Sequence, residues 1–204
     1  MPLPTIYYIR HGQTDWNAEH RLQGQRDIPL NETGRAEARR SGEILCHILR
    51  REGRSPHDLD FVCSPLVRAS ETLELVRIAL GLDPAGYHID PRLAEISFGK
   101  WEGLTLADLK NGAAEQLTTR EKDPWHFTPP GGENYEQLKA RIADWHGNLE
   151  RNTVISSHLN TGRALLVHLG LAPLGVVPRN PIDQAVVYVF DANGMTRHAE
   201  PIPI

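Results

Sequence analysis

The chain is poor in everything that disulfide scaffolds, membrane spans and nucleic-acid surfaces require. Only two of its 204 residues are cysteine, Cys46 and Cys63. Neither sits in a C-x-x-C or other ligand spacing, which argues against a disulfide framework and for a reduced, intracellular chain. No apolar run approaches transmembrane length. The opening segment, Met1 to Ile9, is too short before Arg10-His11 to be a signal peptide, so the expected location is cytoplasmic. Basic residues are not in surplus: 22 Lys and Arg face 26 Asp and Glu, a formal net charge of -4. That argues against a general nucleic-acid surface and leaves room for a few arginines to bind a phosphate. There is no internal repeat and no low-complexity tract. The chain as a whole, 40% hydrophobic and 24% charged, can bury a core of normal size.

Strand and helix patterns alternate along the chain. Thr5 to Ile9 reads as a buried strand. Asn31 can cap a helix running to about Arg51, with apolar positions at Ile44, Leu45, Ile48 and Leu49. Asp60 to Cys63 reads as a second strand. Ser64-Pro65 then resembles a cap followed by proline at the first helical position, opening a helix that carries Leu66, Ala69, Leu73, Val76 and Leu80. Tyr87 to Ile89 is a weaker strand, and residues 104–130 are mixed in character. A helix is expected over 134–151, a strand over 153–157, a helix over 161–169 and a strand over 185–190. Asp191-Ala192-Asn193-Gly194 has good hairpin chemistry.

This alternation predicts an α/β fold: a three-layer αβα sandwich with a largely parallel central sheet. Open sheets of this kind bind ligands beyond the carboxyl ends of their strands. Arg10-His11-Gly12 follows the first strand, Ser64 and Arg68 the second, and His158 the strand at 153–157. Two histidines and two arginines therefore meet at one edge, which suggests an anionic substrate. Arginine offers a planar, permanently charged fork matched to phosphate oxygens. A neutral imidazole can attack phosphorus and divide one hard transfer into two easier ones, provided an acceptor holds its other nitrogen. Gly12 would let the backbone pass close to the ligand. Departure of an alkoxide needs a proton donor, and a carboxylic acid beside a phosphate is kept protonated by the neighbouring charge.

The motifs now resemble a known family. Arg10-His11-Gly12-Gln13-Thr14-x-x-Asn17 is followed by Gln23-Gly24-x-x-Asp27-x-Pro29-Leu30-x-x-x-Gly34. Cys63-Ser64-Pro65-Leu66-x-Arg68-Ala69-x-x-Thr72 comes next, then Leu93-x-Glu95-x-x-Phe98-Gly99-x-Trp101-Glu102-Gly103. Pro130-Gly131-Gly132-Glu133 and Ser157-His158 with Arg163 complete the set. In this order they resemble the histidine phosphatase superfamily, in its phosphoglycerate mutase-like branch. The resemblance implies one histidine phosphatase domain over 1–204 with a small cap-like insertion around 104–135. His11 would be the phosphorylated nucleophile, and Arg10, Arg68 and His158 the rest of the phosphate pocket. Glu95, which the residues alone do not single out, would donate the proton and later help activate water. Asn17, Gln23 and Gly24 would line the substrate side. Two positions depart from the pattern. Leu159 follows the second histidine where Gly is usual, so its side chain bears on the pocket, and Asn134 replaces a Ser.

No metal or cofactor is expected, since the arginines and His158 supply the charge. The expected partner is a small phosphorylated metabolite, with no nucleic acid and no membrane, and a homodimer is compatible with the sequence. The leading function is a phosphatase hydrolysing a small phosphomonoester through phosphohistidine. The alternative is a phosphoglycerate mutase, an isomerase that needs a bisphosphoglycerate primer. Family mutases of that kind carry a longer insert after the proton donor, whereas here 63 residues separate Glu95 from His158. A non-catalytic phosphate-binding module would often have lost His11 or Glu95, and both are present. Other features carry plainer readings. Asn17 and Gln23 could simply cap loops. His57-Asp58-x-Asp60 lacks metal-ligand spacing. Arg35, Arg39, Arg40, Arg50 and Arg51 form a solvated helix face, and Cys63 is a small buried apolar residue. Trp125-His126-Phe127 anchors its irregular segment in preference to touching substrate.

Overall fold

The computed structural model describes residues 4–174 and 181–200. Six strands form one sheet in the order β3-β2-β4-β1-β5-β6. They are β1 (Ile6–Arg10), β2 (Asp60–Cys63), β3 (His88–Ile89), β4 (Thr153–Ser157), β5 (Val187–Asp191) and β6 (Gly194–His198). The first four run parallel, and β5 and β6 close one edge as an antiparallel hairpin. The hairpin turns where the sequence indicated, with Asp191 opposite Gly194. Short strands with mostly buried residues carry side chains to both faces, so the two-residue period sorts β1 between two cores. Tyr7 and Ile9 join one cluster, Ile6 and Tyr8 the other.

Helix α1 (Asp15–Ala18) is a single turn after β1. Helices α2 (Glu32–Glu52) and α3 (Val67–Ala79) cover the Tyr7 and Ile9 face. Asn31 caps α2 by accepting from Gly34 N–H at 2.9 Å, and Gly53 ends it with φ 64°. The opposite face carries α4 (Leu106–Gly112), α5 (Ala114–Lys122), α6 (Tyr135–Gly147) and α7 (Leu159–His168). Three layers result. No helix among the described residues is long and apolar enough to cross a membrane.

Several boundaries differ from expectation. Ser64 does not cap α3: the helix starts at Val67, with Leu66 at the cap position and no side-chain cap. The Ser64 hydroxyl is used elsewhere, against His158. Helix α6 stops at Gly147, four residues short of Arg151. Helix α7 begins directly after His158 and not at Thr161. The mixed stretch contains α4 and α5, the first set by a capping box between Thr105 and Asp108. Trp125 is buried, stacks on Tyr135 at 5.4 Å and donates its indole N–H to Glu136, while Phe127 stacks on Trp101. Those contacts anchor the segment. Asn134 is the N-cap of α6 in a capping box with Gln137, a task Ser and Asn perform about equally.

Candidate active site

The parallel pairing aligns the carboxyl ends of β1, β2 and β4. Arg10 lies opposite Ser157 and Cys63 opposite Ser156. Backbone bonds extend this alignment past the strands: His11 N–H donates to Ser157 C=O at 2.9 Å, and Ser64 N–H to Ser156 C=O at 3.1 Å. His11, Ser64 and His158 therefore leave the sheet side by side. The His11 and His158 rings stand 5.1 Å apart, tilted at 59°.

Two contacts fix the His11 tautomer. Its Nδ1 lies 2.7 Å from the Gly12 carbonyl, which can only accept, so Nδ1 carries the proton. Its Nε2 lies 3.3 Å from Arg68 Nε–H, which can only donate, so Nε2 presents a lone pair. Burial, then the charges of Arg68 and Arg10, hold the His11 pKa well below the ordinary 6.5. The ring is a neutral imidazole with its basic nitrogen toward a guanidinium.

Arg68 enters from the first turn of α3 and is fully buried. Its Nη1 donates to Arg26 C=O at 2.7 Å and its Nη2 to Gly24 C=O at 2.8 Å, leaving Nε for His11. Desolvation lowers its pKa to about 10, with Glu95 the largest opposing charge. Thr72, one turn on, accepts from Gly12 N–H and donates to Arg68 C=O, so it ties α3 to the loop after β1.

His158 is fully buried, and its Nε2 lies 2.7 Å from Ser64 Oγ. Ser64 Oγ already accepts from Leu66 N–H. The hydroxyl has one hydrogen and a second lone pair for this contact, so it can serve either tautomer of the ring. His158 Nδ1 has no partner among the described residues, and neither has Arg10 Nε or Gln23 Oε1. Desolvation, then the charges of Arg68 and His11, keep His158 well below the ordinary histidine value. Arg10 is anchored by Nη1 to Ile182 C=O at 2.9 Å.

Glu95 is buried beside the N-terminus of α7. Its oxygens receive Ile96 N–H at 2.9 Å, Asn160 N–H at 3.3 Å and the Asn160 side-chain amide at 3.3 Å. These donors fix the orientation of the Glu95 carboxyl group at the start of α7. Arg141 of α6, itself held by Glu133, donates to the backbone C=O of Glu95 and fixes this stretch of chain.

A cavity of about 160 Å³ opens over these groups. His11, Arg10, Arg68, Glu95, Asn17 and Gln23 all line it, as do Gly24 and Leu159. His158 is not among the lining residues, although its ring adjoins that of His11. The structure adds detail at Gly12, Gly24, Asn17 and Leu159. At Gly12 a Cβ would sit 2.1 Å from Gly34 C=O, so the glycine serves the close contact with α2. Gly24, at φ 53°, would drive a Cβ to 2.2 Å from Glu102, and its carbonyl holds Arg68. Asn17 also closes the capping box of α1 with Thr14, the plain loop-cap role. Leu159, the first residue of α7, forms an apolar wall packed on the core. Sequence reading missed Arg21, Arg120 and Asn160 of the lining, and Gln184, whose amide donates to His11 C=O at 3.1 Å. Asp60, of the sequence's weak metal triplet, pairs with Arg151. No group of three or more His, Cys, Asp or Glu able to hold a metal occurs among the described residues.

Residues 6–200 match the histidine phosphatase superfamily (branch 1), and the chain belongs to that superfamily. A 2,3-bisphosphoglycerate-dependent phosphoglycerate mutase 2 of Gloeobacter violaceus is 32% identical over 193 residues, 91% of this chain and 84% of that protein. A mutase of the same description from Azorhizobium caulinodans is 31% identical over 182 residues, 85% of each. Among solved structures, the alpha-ribazole phosphatase from Shigella flexneri matches with a TM-score of 0.77 at 26% identity, covering 97% of this chain and 96% of that one. A mycobacterial glucosyl-3-phosphoglycerate phosphatase matches with a TM-score of 0.76 at 26% identity, covering 96% of each chain. The fold is therefore that of phosphoglycerate mutase-like histidine phosphatases, a group containing both phosphatases and mutases.

Proposed function

We propose that the protein is a phosphatase that hydrolyses a small phosphomonoester through a phosphohistidine at His11. One observation carries the reading: His11 is buried, neutral and locked with Nε2 outward, between two arginines suited to a phosphoryl group. Nε2 attacks phosphorus as the bond to the leaving oxygen breaks, and Glu95 gives that oxygen a proton. Arg68 Nε–H passes from Nε2 to a phosphoryl oxygen, and Arg10 and His158 share the developing charge. Water then attacks phosphorus, its proton goes to Glu95, and the P–N bond breaks to regenerate His11.

The catalytic unit is one domain, with 104–135 as a cap-like insertion over the leaving-group side. Two free cysteines suit a cytoplasmic location. The spacing between Glu95 and His158, and the two phosphatases of like fold, favour hydrolysis. The mutase reading draws on the curated relatives, and only it calls for a bisphosphoglycerate primer. The deciding experiment measures phosphate release from small esters, with and without bisphosphoglycerate, beside isomerisation of 3-phosphoglycerate. Hydrolysis should be faster without primer. Isomerisation outrunning phosphate release would replace the phosphatase with the mutase.

A further inference from the structure

The residues just before β5 lie beside the residues just after β1, because the two strands run antiparallel with Val187 opposite Ile9. Two of them reach across. Ile182 C=O accepts from Arg10 Nη1 at 2.9 Å, and the Gln184 amide donates to His11 C=O at 3.1 Å. An amide nitrogen carries two hydrogens. The second is directed to Asn17 Oδ1, 3.4 Å away. One side chain thus binds the backbone of His11 and a residue that lines the cavity.

Asn17 is also held independently, since Oδ1 accepts from Thr14 N–H at 3.1 Å and from the Thr14 hydroxyl at 3.2 Å. Gln184 therefore ties the backbone that carries the nucleophile to a side chain already fixed on the substrate side. His11 N–H is held by Ser157 C=O, so Gln184 secures the other edge of the same residue. The His11 ring must meet phosphorus in line with the departing oxygen, and a misplacement of ~1 Å can cost about a hundredfold in rate.

The segment around Gln184 is itself braced. Asp183 N–H donates to the hydroxyl of the buried Tyr188 at 2.8 Å, and the Asp183 carboxylate accepts from Arg197 Nη2 of β6 at 2.7 Å. Ala185, directly after Gln184, has φ 56°, in the left-handed region that a residue with a Cβ enters at a cost. Such strain persists where the surroundings over-determine the backbone, and it gathers at active sites. Here Val186 and Val187 are buried on one side of Ala185, and Gln184 is bonded to His11 on the other.

We propose that Gln184 is a positioning residue for phosphoryl transfer, fixing the backbone of His11 relative to Asn17 and so to the bound ester. The inference rests on His11 as the nucleophile, whether water or a second hydroxyl finally receives the group.

Single-turnover labelling tests it. Wild type, Gln184→Met and Gln184→Glu are each mixed with radiolabelled 3-phosphoglycerate and, separately, p-nitrophenyl phosphate. Label on His11 is followed in time over a range of ester concentrations, and the ester that labels wild type faster supplies the comparison. Methionine keeps the length and removes the donors. Glutamate keeps the shape and turns the donor into an acceptor facing two oxygens. At saturating ester, labelling should slow at least tenfold in Gln184→Met and further in Gln184→Glu. The half-saturating concentration should move less than threefold, because Thr14 still holds Asn17. A glutamate variant within twofold of wild type at saturation, or a loss confined to half-saturation, would overturn the positioning role and leave the phosphohistidine standing. Urea midpoints identify a variant that has lost its fold, and the other then decides; loss of fold in both would mean a purely structural role and overturn the proposal. Wild type unlabelled at His11 by both esters would remove the nucleophile reading as well.

Discussion

Lowering the pH from 7.5 to 5.5 should destabilise the fold through its two buried imidazoles, and His11 allows this to be isolated. Both rings have folded-state pKa values well below the ordinary 6.5. In the unfolded chain they titrate near 6.5. The unfolded state thus binds more protons as the pH falls, and stability present above 6.5 is lost progressively below it. A ring neutral throughout the folded state loses about 1.4 kcal/mol between pH 7.5 and 5.5, independent of how far its pKa is depressed. His146, His168 and His198 are lowered too, mainly by burial, and add to the same trend. Comparing wild type with His11→Gln cancels those contributions. Urea unfolding at constant ionic strength, in buffers free of phosphate, gives ΔG at each pH. The wild type should lose about 1.4 kcal/mol more than the variant over this interval. Parallel losses, within about 0.3 kcal/mol, would mean that the His11 ring titrates alike folded and unfolded. The neutral, buried nucleophile would then be refuted.

Other substitutions test separate parts of the site. Arg68→Ala should weaken transition-state stabilisation by roughly 3 kcal/mol or more, read as kcat/KM on the best ester, because it removes a donor aimed at the reacting nitrogen. Gly12→Ala should destabilise the fold by about 1–3 kcal/mol or more in denaturant unfolding, because the new Cβ meets backbone that cannot swing aside. Asn134→Ala should cost about 0.5–2 kcal/mol, while Asn134→Ser stays near wild type, if capping α6 is what this residue does.

The site's central residues were legible because they follow strands. Once β1, β2 and β4 are read as parallel neighbours, His11, Ser64 and His158 must emerge at one edge. Helix α2 was legible because Asn31 and a clean apolar stripe define it. Ser64-Pro65 misled because the serine side chain, free to cap in an isolated segment, is drawn to a histidine 94 residues away. Leu159 posed a question that sequence could not answer, since its side chain turns from crowding to walling only when α7 is placed against the core. The cap was illegible for a different reason. Helices α4 and α5 are short and mostly exposed, with one buried residue each, so no apolar stripe announces them. The Thr105-x-x-Asp108 box was the available signal. Nothing local marks Arg120 or Gln184 as pocket residues; each reaches the cavity or His11 only through tertiary placement.

The most direct test is to look for phosphorus on nitrogen. Wild type and His11→Ala are mixed briefly with radiolabelled ester, quenched and digested. The label should survive base, fall off in acid and map to the peptide containing His11, with none on the variant. A label that survives acid and is lost in base, or one that persists in His11→Ala, would place the nucleophile elsewhere.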